Sequence, residues 1–117
     1  MEKIKINIYA IVGDSLCISS EDGNKVFKQI TKALDMDKKI EISFLNIKML
    51  TAAFLSSAIG QLYGANYTEE KLKKSLTAID VSNEHKFLLK RVIETAKLYY
   101  KDTVGFENRF KEVMEGI

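Results

Sequence analysis

The tightest constraint on this chain is that its hydrophobic period changes along its length. Short segments alternate every second residue and keep one polar face, while longer segments between them repeat at helical spacing. Period 2 marks a strand covered on one side only, and a period near 3.6 marks an amphipathic helix. Residues 3–12 open this way, with Ile4, Ile6, Ile8, Ala10 and Val12 on one face and Lys3, Lys5, Asn7 and Tyr9 on the other. Gly13-Asp14-Ser15 turns the chain, and Leu16-Cys17-Ile18 returns as a second short strand. Ser19 or Ser20 then caps a helix with Glu21 and Asp22 in its first turn, and Val26, Phe27, Ile30, Ala33 and Leu34 keep its spacing.

The segment "DKKIEISFLNI" repeats the strand pattern, with Ile40, Ile42 and Phe44 inward and Glu41 and Ser43 outward. A helix with Thr51 as its cap occupies the stretch 46–64, "NIKMLTAAFLSSAIGQLYG". "ANYTEEKLKKS" reads as a polar connection with a helical turn, and "LTAIDV" (76–81) as a fourth strand. Ser82 caps a long helix to about residue 101, residues 102–105 break it, and Phe106, Phe110, Val113, Met114 and Ile117 stripe a last helix. The order β-β-α-β-α-β-α-α contains strand–helix–strand crossovers, which imply at least some parallel pairing. Repeated polar strand faces argue against a sheet buried between two helical layers. The expectation is a two-layer α/β domain with a four-stranded mixed sheet and three to four helices mainly on one face. One domain spans 1–117, and the helix about 106–117 is a candidate appendage.

Composition narrows the function classes. A net charge of +2 is too small to argue for a nucleic-acid partner, and the basic stripe Lys86, Lys90, Lys97, Lys101 has no interleaved aromatics to stack bases. The single cysteine, Cys17, forms no disulfide within the chain and fits a reducing compartment. The start "MEKIKINIYAIVG" lacks the uninterrupted apolar core of a signal peptide, and no run approaches the ~20 residues that span a bilayer. A cytoplasmic setting without a membrane role is expected.

The segments "KKIEISFLNIKMLTAAFLSSAIGQLYG" and "SSEDGNKVFKQI", in that element order, resemble the STAS-like family of unknown function. It is a bacterial and phage relative of the STAS domains of anti-sigma-factor antagonists, and the likeness runs from about Ser19 to Tyr100. The resemblance implies a STAS-like fold and regulation by protein binding, with a histidine-kinase-like ATPase as the partner by analogy. Antagonists carry an Asp-Ser-Ser-Gly-like run where the strand enters this helix, and one serine is phosphorylated. Here that run falls on Thr51-Ala52-Ala53-Phe54, and the acceptor position, Ala52, has no hydroxyl. Thr51 is the substitute acceptor, set against its plainer role as helix cap.

The helix within 46–64 carries the chief binding candidate. Phe54, Leu55, Ala58, Ile59 and Leu62 cluster on one side, and Ala53, Ser56, Ser57, Gly60 and Gly64 lie opposite. Small residues let another backbone approach closely, and Gly60 costs ~1 kcal/mol against Ala inside a helix. What approaches is the chain's own later helices, a partner protein or second copy, or a small ligand. The expected contact surface is Lys48, Thr51, Ser56, Ser57, Gly60 and Gln61.

On the helix after Ser82, Leu88, Leu89, Val92, Ile93, Ala96, Tyr99 and Tyr100 form the core face, with His85 packed among them. Phe87 and Leu98 flank Arg91 on another side, with the composition of an interface, unless the last helix covers them. Cys17 and His85 would make a nucleophile–base pair, but no acid is placed to orient either. No phosphate loop, metal motif or cofactor signature occurs, so no metal, cofactor or catalytic residue is assigned. The reading is a non-enzymatic regulatory module. Two rivals stand beside it: a phage or mobile-element effector that inhibits a host or defence protein, and a ligand-binding or catalytic domain whose pocket would be lined by Thr51, Ser57 and nearby acids.

Overall fold

The computed structural model describes residues 2–101, and the expected helix about 106–117 lies outside the described residues. In chain order the elements are β1 (Lys3–Asn7), α1 (Ile8–Val12), β2 (Leu16–Cys17), α2 (Ser20–Asp35), β3 (Lys39–Ser43) and β4 (Met49–Leu50). They continue with α3 (Ala52–Ala58), a 3-10 helix (Gly60–Gly64), α4 (Glu69–Ser75), β5 (Leu76–Ile79) and α5 (Asn83–Lys101).

The α/β class holds, but the single four-stranded mixed sheet does not, and the described residues form five α-helices where three to four were expected. The described residues form a three-stranded sheet in the order β1-β3-β5 and a two-stranded sheet of β2 and β4, parallel throughout. The cause lies at residue 7. The Asn7 side chain accepts a hydrogen bond from the Ala10 N–H at 3.0 Å and so caps a helix where alternation predicts more strand. Gly13 closes that helix at φ +78, a left-handed conformation that costs glycine little, and its N–H donates to the Tyr9 carbonyl. Ile8 is buried, Ile11 and Val12 are half-buried and Ala10 is exposed, which is helical spacing and not strand alternation. The chain therefore leaves the main sheet, and β2 pairs with β4 instead of returning beside β1.

Within the main sheet the period-2 reading holds. The rows Ile4–Ile40–Leu76 and Ile6–Ile42–Ala78 share one face, and Lys5–Glu41–Thr77 share the other. Lys5 and Thr77 are exposed, and Lys3 reaches Glu41 across that polar face at 3.8 Å. Ser43 departs from expectation: it is buried, and its hydroxyl donates to Asp80 Oδ2 at 2.8 Å. A buried hydroxyl needs such a partner.

The helices follow their caps. Ser19 accepts from the Asp22 N–H at 3.1 Å, and Val26, Ile30, Ala33 and Leu34 turn inward along α2. Thr68 caps α4 with Glu69 and Glu70 in its first turn and Lys73 and Lys74 in its last, so this "connection" is a full helix that buries Leu72. Ser82 Oγ accepts from the His85 N–H at 3.2 Å at the start of α5. Leu89, Val92 and Ala96 are buried on α5, whereas Tyr99, expected in the core, is 60% exposed.

The stretch 46–64 is not one helix. Asn46 turns the chain at φ +65, β4 follows, and α3 gives way at Ile59 (φ −123, ψ −43) to the 3-10 helix. Two glycines in five residues weaken α-helical propagation there, and the tighter helix takes over. Packing then places α2 against α3, and α5 against both α3 and the 3-10 helix.

A candidate protein-docking site at the start of α3

Thr51 is the pivot of this region. Its hydroxyl oxygen accepts from the Phe54 N–H at 3.2 Å, which caps α3, and its proton goes to the Ile18 carbonyl at 2.7 Å. One side chain therefore ties the end of β2 to the first turn of α3. The pairing Leu16↔Met49 and Cys17↔Leu50 places Cys17 and Leu50 inward and Leu16 and Met49 outward. Leu16 is 42% exposed, Ile18 44% and Met49 50%. Ala52, Ala53 and Ser56 on α3 are also exposed, as is Lys48, while Thr51 is half-buried. The result is an apolar strip that runs from the small sheet onto the bare first turn of α3.

The rest of the expected contact surface is occupied by the chain itself. Ser57 is buried at 7%, and its hydroxyl donates to the Ser20 carbonyl at 2.6 Å and lies 3.0 Å from Asn24 Oδ1. Gln61 is half-buried in the same network, its amide donating to Asn24 Oδ1 and to the Ser57 carbonyl, both at 2.7 Å. A Cβ on Gly23 of α2 would lie 2.7 Å from Ser57 Cβ, so the two helices nearly touch backbones there. Gly60 is buried with Ala96 and Val92 of α5 above it, and the Tyr100 ring rests on Gly64. Of the readings open to the small-residue flank, packing by the chain's own later helices accounts for Gly60 and Gly64, which meet α5, whereas Ser57 is covered by the earlier helix α2, which the sequence reading did not name. Lys48, Thr51 and Ser56 remain with the open strip.

Leu16, Ile18 and Met49 escape a sequence reading because a two-residue strand shows too little alternation to reveal its covered face. One signal was available: Leu16, Cys17 and Ile18 are all apolar, so a half-covered strand must leave some of them outside.

Phe87, Arg91 and Leu98 do share an exposed side of α5, with Phe87 at 74% and Leu98 at 71%. His85 is half-buried. The Cys17 thiol is fully buried, and burial, with Asp22 and Asp14 adding to it, pushes its pKa up to about 11. Such a thiol stays protonated at neutral pH, the opposite of an activated nucleophile. No group of three or more metal-ligating side chains occurs among the described residues. A cavity of about 680 Å³ opens elsewhere, between α4, α5, the 3-10 helix and the sheet, over Ile42, Ile59, Leu72, Leu89 and Ile93 with Tyr63 at its rim. Neither Thr51 nor Ser57 lines it. Burial, and then Glu69, raise the Tyr63 phenol above its ordinary range. Among the described residues, no helix is long and apolar enough to cross a membrane.

These features define a small α/β domain whose exposed apolar strip adjoins a capped helix start. Residues 22–86, more than half of the 117, match the family model of the STAS-like domain of unknown function (DUF4325), and the chain belongs to that family. No curated protein and no solved structure matches the chain.

Proposed function

We propose that this chain is a non-enzymatic regulatory module that docks another protein on the strip from Leu16, Ile18 and Met49 to Ala52, Ala53 and Ser56, with Lys48 and Thr51 at its rim. One observation carries the reading: three large apolar side chains stand side by side in water next to a helix turn made of alanines. Contiguous apolar surface of this kind marks interaction sites, and the alanines let a partner's main chain come close. The STAS-like family assignment makes a histidine-kinase-like ATPase the partner to test, by analogy with the STAS antagonists. Ala52 has no hydroxyl, and the Thr51 hydroxyl is committed to two hydrogen bonds. Docking here is accordingly governed by apolar contact and not by phosphorylation of this turn.

Calorimetric titration with such an ATPase tests the proposal. Met49→Glu and Ala53→Arg change exposed positions, so each keeps the wild-type circular dichroism while weakening binding about tenfold or more. Wild-type affinity in both variants would overturn the assignment of the surface.

A further inference from the structure

Helix α5 presents a second face, independent of the docking strip. Phe87, Arg91, Glu94 and Leu98 are all exposed and follow one another at spacings of four, three and four. At about 100° per residue they fall within an arc of about 60°, opposite the buried Leu89, Val92 and Ala96. That spacing is the seam of a two-helix coiled coil. Among the described residues, neither Arg91 nor Glu94 has an ion-pair partner.

The order of the four residues selects the occupant. Phe87 and Leu98 are equidistant from the point between residues 92 and 93, and so are Arg91 and Glu94. A two-fold axis through that point lays α5 antiparallel on a second copy of itself. Each Phe87 then meets a Leu98, and each Arg91 meets a Glu94. A two-fold interface demands this kind of self-complementarity, in which residue i faces j and j faces i. A parallel pairing would set Arg91 against Arg91 and Glu94 against Glu94. We infer that α5 is the dimerisation helix of this protein, pairing antiparallel with α5 of a second copy through Phe87, Arg91, Glu94 and Leu98.

The flanks are compatible with this. Lys90 and Lys97 border the seam, and Lys97 is drawn over the Tyr63 ring of its own chain, 5.8 Å from the ring centre. The central charged layer lowers the affinity of the pair while it sets register and direction. At about 28 Å in length, α5 offers an interface at the small end of the specific range, so the dimer dissociates on dilution.

Sedimentation of the full chain tests the inference. Wild type approaches twice the 13.3 kDa chain mass as its concentration rises to about 0.5 mM, a range that reaches weak interfaces. R91E and E94R each remain monomeric, because each sets like charges against each other across the axis. An equimolar mixture of the two recovers the dimer, and the double variant R91E/E94R dimerises alone. All four positions face solvent, and unchanged circular dichroism shows that the variants fold. Direction is read by oxidative cross-linking: a chain with Phe87→Cys links to a chain with Leu98→Cys, and buried Cys17 does not compete. Wild type that stays monomeric throughout would overturn the inference and leave the face to the chain's own residues 106–117 or to a different protein. So would single charge reversals that dimerise like wild type, or cross-links only between identical positions.

Discussion

Replacing Gly23 with alanine puts the central claim about the small-residue flank under the most direct stress. The added Cβ would meet the Phe54 carbonyl oxygen at 2.5 Å and Ser57 Cβ at 2.7 Å. Backbone cannot swing aside as a side-chain tip can, so α2 and α3 have to part by roughly 0.5–1 Å before the atoms stop overlapping. Overpacking of this kind costs about 1–3 kcal/mol, against a gain of up to ~1 kcal/mol from alanine's better helix propensity. The expected net is a loss of about 1–2 kcal/mol, read in urea as a midpoint lower by roughly 0.5–1 M at unchanged slope. Gly60→Ala is the internal contrast. Its Cβ would sit 3.6 Å from Ala96 and 3.8 Å from Val92 and Ser56, ordinary contact distances. With the unfolded chain less free, that variant gains about 0.5 kcal/mol. If both variants move stability the same way, or Gly23→Ala is neutral, the close approach of α2 to α3 is not what the glycine serves.

Ser57→Ala removes the donor to the Ser20 carbonyl and costs about 1–2 kcal/mol in the same assay; a neutral result would mean the α2–α3 network is dispensable. Thr51→Ala loses both the cap of α3 and the tie to Ile18 and costs about 1–2 kcal/mol, whereas Thr51→Ser, which keeps the hydroxyl, stays within about 0.5 kcal/mol of wild type. Because the folded pKa of Cys17 lies near 11 and its ordinary value near 9, the unfolded chain gives up this proton first as pH rises. Stability therefore falls between about pH 9 and 11, and Cys17→Ala flattens that part of the profile; an unchanged profile in the variant would refute the assignment. At pH 8 the native thiol reacts with a maleimide far more slowly than the denatured chain does, which follows from its complete burial.

Much of this architecture is legible in the chain because it depends on local physics. Ser19, Thr51 and Ser82 start helices where the sequence places short polar side chains before apolar periodicity, since a cap needs only its own next turn. Ile4, Ile6, Ile40 and Ile42 point inward because a strand's period is built into its backbone. Residues 8–12 show the limit: Ile8, Ala10 and Val12 alternate like a strand, yet one hydrogen bond from the Ala10 amide to Asn7 turns them into a helix. Over so few residues, periodicity cannot separate the two.

For the site, the chain alone determined that residues 53–64 carry a bare flank and that Phe87, Arg91 and Leu98 lie outside the core face. Which neighbour meets that flank was a question of tertiary packing. Gly23 is thirty-four residues from Ser57 in the chain, and Ala96 is thirty-six from Gly60. Only the folded arrangement of α2 and α5 brings them into contact, covering part of the flank and leaving Leu16, Ile18 and Met49 open beside it. A small side chain leaves room for something to come near; the identity of what comes near is written in distant parts of the chain, and packing alone selects it.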